Sequence, residues 1–252
     1  MKPVNDVEVD GVYKIILNRP EKRNALNSEL LTALRDSVLN AEKSKAQIVI
    51  LRGSGGFFSA GGDIKEFLEA QDAKSRIDSM AMILNDVVKK IRTMSSLWIS
   101  VVEGGIVGAG IGLALCCDIT VAAKSSYINM GYRRIGLTPD GGVSVFLPKL
   151  VGMKRMNQMY LFSENISMEQ ARDMGLVNFV VDDERIDTFL DEMIRELKKL
   201  PLHTISAYKE LINASLFPDL AHQLEKERFH VAEMAGKDTF KRLLENFVTR
   251  KG

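Results

Sequence analysis

Short apolar runs alternate with stretches of helical periodicity through the first half of the chain, and the second half is helical almost throughout. Val7, Val9 and residues 12–17 flank Asp10-Gly11, a dipeptide suited to a two-residue hairpin turn. Residues 27–43 place Leu30, Leu31, Leu34 and Val38 on one helical face, with Asn27 or Ser28 as the cap. The unbroken run Ile48-Val49-Ile50-Leu51 predicts a buried strand over 46–52. Helices are expected at 63–70 and 75–93, and a second buried strand at 97–103. A glycine-rich turn then leads into a helix through 113–116, and 118–123 reads as another strand. Strands and helices interleaved in this way build an α/β fold.

After Pro139 the periodicity is helical except at 176–181. Ser167-Met168-Glu169-Gln170 has the form of a capping box, with Gly175 as the stop of that helix. Amphipathic helices are expected at 185–199, 203–215, 219–235 and 237–249. The chain thus divides into a core, 1–195, and a helical C-terminal region, 196–252. That region packs on the core or on another subunit. Phe217, Phe229, Phe240 and Phe247 supply its contacts in either arrangement.

Composition narrows the function. At 252 residues and 46% hydrophobic, the chain can bury a sizeable core. A net charge of +1 gives no field to draw nucleic acid or a membrane surface. No apolar run reaches the roughly 18 residues that span a bilayer, and the first residues lack a signal-like apolar stretch. Cys116 and Cys117 are adjacent in an apolar run and read as small core residues. The expected setting is soluble and cytoplasmic.

Two glycine-rich segments carry the chemistry. Gly53-Ser54-Gly55-Gly56-Phe57-Phe58-Ser59-Ala60-Gly61-Gly62-Asp63 follows the first buried strand. Gly104-Gly105-Ile106-Val107-Gly108-Ala109-Gly110-Ile111-Gly112 follows the second. Each is a strand-to-helix turn that can present a backbone N–H with little side chain in the way. Two convergent N–H donors make an oxyanion hole, which serves an enolate or a tetrahedral adduct equally well. Taken singly, either cluster also reads as tight strand–helix packing. A dinucleotide turn is disfavoured, because the Gly-x-Gly-x-x-Gly spacing is missing and no acidic partner is well placed after a second strand. No Gly-x-Ser-x-Gly elbow, P-loop or metal-spaced His/Cys/Asp cluster is present in the sequence, so no metal is expected.

The segment Asn18-Arg19-Pro20-Glu21-Lys22-Arg23-Asn24-Ala25-Leu26-Asn27 resembles the N-terminal motif of the crotonase superfamily, the enoyl-CoA hydratase/isomerase family. Phe58-Ser59-Ala60-Gly61-Gly62-Asp63-Ile64-Lys65, the second glycine turn and Cys117-Asp118-Ile119 match in order. So do Gly136-Leu137-Thr138-Pro139-Asp140-Gly141-Gly142 and Ala171-Arg172-Asp173-Met174-Gly175-Leu176-Val177. The resemblance implies a crotonase-like spiral of ββα units whose helical C-terminal region makes trimers, often paired into hexamers. It implies acyl-CoA thioester substrates, with coenzyme A as part of the substrate and no separate cofactor. The N–H groups that hold the thioester oxygen and stabilise an enolate would be those of Gly62 and Ala109. Ala25, Leu26 and Asn27, with Ala60, Gly61, Asp63 and Ile64, would lie along the CoA moiety. Lys22, Arg23 and the terminal Arg250-Lys251 match basic positions that face CoA phosphates. For each of these four the alternative is a solvated surface charge.

The chain also departs from the pattern. Enoyl-CoA hydratases of this superfamily add water with two glutamates; Gly112 and Tyr132 stand at the two matching positions. Asp140 remains, and it resembles the catalytic aspartate of superfamily isomerases such as the ring-epoxide isomerase of the phenylacetate pathway. An aspartate before a helix is equally a good N-cap, and the two roles are compatible. Tyr132 and Arg133 shape the acyl pocket or simply pack. The expected reaction is isomerisation of an enoyl-CoA or ring-epoxide acyl-CoA with Asp140 moving the proton. The alternatives are a hydratase with other acid/base groups and a non-catalytic acyl-CoA-binding subunit.

Overall fold

The computed structural model describes residues 2–249. Strands β1 (Val4–Val9) and β2 (Val12–Leu17) form the expected hairpin, with Val9 opposite Val12. Asp10 and Gly11 both take positive φ, 52° and 72°, the geometry that matches the twist of a two-residue hairpin. Only Val4 of β1 is buried, as suits the edge strand of the main sheet.

From β2 onward the chain repeats one path: a strand in the main sheet, a short crossing segment, then a helix. After β2, Leu26 bridges in parallel to Gly62, and α1 (Ser28–Ser44) follows with Asn27 as its cap. After β3 (Ile48–Gly53), Ser59 bridges to Ile106, and α2 (Ile64–Glu69) and α3 (Ala73–Thr93) follow. Next come β4 (Leu97–Val102), β5 (Gly105–Val107) and α4 (Ala109–Leu115). The last turn is β6 (Ile119–Ala123), β7 (Tyr127–Asn129), a 3-10 turn at Tyr132–Ile135 and α5 (Val143–Phe162), which breaks at Gly152. These are the repeated ββα units of a spiral.

The main sheet runs β1-β2-β3-β4-β6-β9 and is parallel from β2 on. The second is β5-β7-β8. It was not legible in the alternation, because β5, β7 and β8 (Ile166–Ser167) span only three, three and two residues. The capping box opens α6 (Met168–Asp173) as expected, and Phe179–Val181 is β9.

Burial on both faces explains the unbroken apolar runs of the parallel strands. Ile48, Ile50, Ile99 and Val101 meet Ile186, Leu190 and Ile194 of α7 (Ile186–Leu197) on one face. Val49, Leu51, Trp98 and Val102 join the larger core with α1 and α3 on the other. Of the C-terminal helices α8 (Leu202–Leu216), α9 (Leu220–Ala235) and α10 (Asp238–Thr249), the last two pack into that larger core through Leu224, Val231, Phe240 and Leu244. Asp118 anchors α8, pairing with Arg92 at 2.9 Å and with Lys209 at 2.8 Å. Removing one partner from such a buried cluster costs about 3–5 kcal/mol, because a charge is left uncompensated. Of the four C-terminal phenylalanines, Phe217 packs on Phe146 and Phe240 is buried, while Phe229 is exposed. Among the described residues no helix is long and apolar enough to cross a membrane.

Candidate active site

Asn24 shows what the first motif is for. It is fully buried in a left-handed conformation, φ 51°. Its Nδ2 donates to the carbonyls of Ser54 (3.0 Å) and Phe57 (2.6 Å), and its Oδ1 accepts from Arg19 N at 2.8 Å. A carboxamide supplies donors and an acceptor at once, so one side chain staples segment 18–27 to the first glycine loop. Arg19 adds a second tie, donating from Nη1 to the Ala25 carbonyl (2.6 Å) and to Asp63 Oδ2 (2.9 Å). Asp63 Oδ1 accepts from Lys65 N and caps α2.

The two glycine turns meet at their tips. Gly61 has φ 81°, and a Cβ there would lie 2.8 Å from the Val107 carbonyl oxygen. Gly108 has φ 53°, and its Cβ would lie 3.8 Å from Gly61 Cα. At Gly61 both the conformation and the approach call for glycine, and at Gly108 the conformation does. Buried Ser59 fixes the first turn, donating to the Asn24 carbonyl at 2.9 Å and accepting from Gly61 N at 3.2 Å. The next residue of each turn is Gly62 and Ala109. Among the described residues neither N–H donates to a protein acceptor, and both residues line one cleft. Ala109 opens α4, where first-turn N–H groups have no partner within the helix.

Asp140 faces the same cleft. Tyr132 Oη donates to Asp140 Oδ1 at 2.8 Å. Burial pushes the Asp140 carboxyl up to about 6, against the opposing pull of the Tyr132 hydrogen bond. The carboxyl is enclosed by protein atoms, while part of the residue's surface stays open to the cleft. Burial, and then the charge of Asp140, hold the Tyr132 phenol well above its usual range, so it remains a donor at neutral pH.

The N-cap expected of Asp140 is not there. The cap of α5 is Gly142, φ 89°, and Asp140 contributes only its carbonyl, to Val143 N at 3.3 Å. Glu227 of α9 supplies the missing acceptor, taking Gly142 N on Oε2 (2.6 Å) and Ser144 N on Oε1 (2.7 Å). No local motif announces a partner that arrives from 85 residues away. Gly112 is held to glycine by packing: a Cβ there would lie 1.9 Å from the Gly141 carbonyl oxygen. A glutamate at this first hydratase position would displace the turn that carries Asp140.

The cleft has a volume of about 760 Å³. It gathers Lys22, Arg23, Ala25, Ala60, Gly61, Gly62, Asp63, Ile64, Ala109, Tyr132 and Asp140, as the sequence led us to expect. Lys22 and Arg23 are exposed, and the Arg23 guanidinium lies 5.6 Å from the centre of the Phe57 ring. Leu26 and Asn27 do not line the cleft: the Leu26 side chain is in the core, and Asn27 Oδ1 caps α1 through Leu30 N. Arg133 points elsewhere, donating to the Leu161 carbonyl, and Arg134 lines the cleft instead. Arg250 and Lys251 lie outside the described residues. Of the apolar wall, Phe67, Ile77, Ile135 and Leu137 fall in segments 64–95 and 130–147, from which the sequence draws the pocket walls; Val231 and Phe247, on the C-terminal helices, it missed. Helical periodicity marks such residues as core and does not say which core positions face a cavity.

Comparison with known proteins places this architecture. Residues 8–252 match the enoyl-CoA hydratase/isomerase family. The chain is 31% identical over 223 residues to the 1,2-epoxyphenylacetyl-CoA isomerase of Escherichia coli (strain K12), a match that covers 86% of this chain and 84% of that protein. It resembles the crystal structure of an enoyl-CoA hydratase from Mycobacterium avium subsp. paratuberculosis K-10 with a TM-score of 0.89 at 26% identity, covering 98% of this chain and 96% of the other. The enoyl-CoA hydratase from Bacillus halodurans gives a TM-score of 0.90 at 23% identity, covering 97% and 99%, a likeness of fold. The chain therefore belongs to the enoyl-CoA hydratase/isomerase family, the crotonase superfamily, whose members act on acyl-CoA thioesters.

Proposed function

We propose that this protein is an acyl-CoA isomerase, in which the N–H groups of Gly62 and Ala109 form the oxyanion hole and Asp140 moves the proton. The thioester oxygen accepts from both N–H groups, which aim at the charge that grows there as an enolate forms. One such donor contributes about 3–4 kcal/mol to lowering the barrier. The Asp140 carboxylate takes a proton from the carbon alpha to the thioester and delivers one at the gamma carbon, the acid exchanging with solvent through the part of Asp140 open to the cleft. The double bond moves by one position and no water is added. A base poised near neutrality suits this task, since it must both accept and release the proton.

The observation that carries this reading is the fate of the carboxyl groups lining the cleft. Glu21 is exposed, and Asp63 is engaged by Arg19 and by the α2 backbone. Asp140 has neither an ion pair nor a capping role among the described residues: its carboxyl meets the Tyr132 phenol, and burial raises it. The E. coli relative named as an isomerase of a ring-epoxide acyl-CoA supports the same class of chemistry. The hydratase alternative loses support because Gly112 has no room for a carboxylate and Tyr132 is not one.

Coenzyme A would extend past Ala25, Ala60 and Ile64 toward Lys22 and Arg23, and the acyl group would meet the apolar wall. Self-association as a homotrimer or homohexamer belongs to the same proposal. Its support is the exposed apolar side chains of Met153, Leu161 and Phe162 on α5 and Leu211 on α8. A solution mass of one chain would contradict that part.

The test is a panel of 2-enoyl- and 3-enoyl-CoAs of increasing length with an aromatic ring-epoxide acyl-CoA, read by mass and ultraviolet absorbance. Isomerisation without a mass change is expected for at least one member. A product heavier by one water would identify a hydratase, and binding without turnover would identify a binding subunit.

A further inference from the structure

Glu227 is a buried acid, 5% exposed and pushed up to about 7 by that burial, on a helix that reaches the site from the far end of the chain. The turn it holds is short of local support. Gly141 and Gly142 both have positive φ, 64° and 89°, and Gly142 brings no capping side chain to the twenty-residue α5. The first N–H groups of α5 are instead fixed by the two oxygens of Glu227, at 2.6 and 2.7 Å. Gln223, one helical turn earlier on α9, donates to Ser144 Oγ at 3.1 Å and steadies the same corner. On its other side Asp140 is held by Tyr132 at 2.8 Å, and Gly141 is wedged against Gly112 and Leu84. Two side chains thus fix the segment bearing Asp140: Tyr132 through the carboxyl itself, Glu227 through the backbone two residues on.

We propose that Glu227 is a positioning residue, which holds the 139–142 turn and so sets the place in the cleft from which Asp140 acts. This rests on the reading of Asp140 as the proton shuttle. A bidentate carboxylate on two backbone N–H groups restrains that turn in both position and rotation. Small displacements of a reacting group are costly, so loosening the turn should slow the chemical step more than it weakens binding. The oxyanion donors and the CoA contacts lie on other segments and stay in place. Glu227 would also couple the C-terminal helices to the reaction, since α9 carries Val231 into the cleft wall as well.

The experiment compares the full-length wild type with Glu227→Gln, Asp140→Asn and Ser167→Ala, using 3-hexenoyl-CoA as the probe. Glu227→Gln keeps the side-chain shape and loses one of the two acceptors. It is expected to lower kcat at least tenfold per folded chain while KM stays within about threefold. Glu227→Asp should recover part of that loss. Ser167→Ala breaks the capping box of α6; neither Ser167 nor α6 lines the cleft, and the change should lower the melting temperature without changing kcat. If Glu227→Gln does not fold, Ser144→Pro replaces it. That change deletes one of the two N–H donors at a first-turn position where proline is tolerated, and the same split is expected. A folded Glu227→Gln or Ser144→Pro chain with kcat within twofold of wild type overturns the positioning role. If Asp140→Asn also turns over normally, or the wild type leaves the probe unchanged, the failure belongs to the reading of Asp140 on which the role rests.

Discussion

Asp140 and Tyr132 form one unit, and their hydrogen bond gives the pH dependence its sign. The base acts as a carboxylate, so kcat/KM should rise as pH passes upward through about 6 and then level off. The Tyr132 bond favours the carboxylate and opposes the effect of burial. Tyr132→Phe should therefore move the acid limb to higher pH, by about one unit for a hydrogen bond to a charged group, and lower the rate at pH 6 more than at pH 8. A profile of kcat/KM from pH 5 to 9 for both proteins checks this. An acid limb unmoved or moved downward would show that the phenol does not act on the base. At this scale the sequence was legible in part. Asp140 stood out as an aspartate after Pro139 within a recognisable motif. Glu227 did not, because its role depends on a packing angle between α9 and α5 that no local pattern records.

At the scale of elements, the site depends on two turns and one tight contact. Ala109→Pro deletes one N–H at the first position of α4, where the fixed φ of proline suits a helix. Turnover should fall by roughly two to three orders of magnitude in a chain that still binds CoA. Full activity in a folded Ala109→Pro protein would exclude that donor. Gly112→Ala forces a methyl group against the Gly141 carbonyl, and the backbone of the Asp140 turn must move to admit it. Overpacking of this kind costs about 1–3 kcal/mol, and the shift should lower kcat as well. Thermal melting and turnover measured together test this, and an unchanged value of both would contradict the contact. The principal elements were legible because hairpin chemistry, capping residues and apolar periodicity agreed along the chain. The second sheet was not, since its strands are too short to alternate. What joins them is a row of bridges between residues distant in sequence, such as Ser59 with Ile106.

Across the whole molecule the cleft is assembled from every part of the chain, from Lys22 near the start to Phe247 near the end. The division expected at residue 195 falls inside α7, and residues on both sides of it share one hydrophobic core and one apolar cleft wall. Lys22 and Arg23 are exposed and line the cleft, so if they meet the CoA phosphates acetyl-CoA affinity should fall as salt rises from low to high ionic strength. Calorimetry at two salt concentrations tests this, and equal affinities would remove these residues from the CoA site. The central claim is that one carboxylate, opposite two backbone donors, moves a proton beside a thioester. Incubation of 3-hexenoyl-CoA in deuterated water, followed by mass spectrometry, tests it most directly. The account predicts that the wild type carries solvent deuterium into the acyl chain, and that Asp140→Asn binds the thioester with similar affinity while its exchange drops about 100-fold or more. Exchange at the wild-type rate in Asp140→Asn would contradict the account.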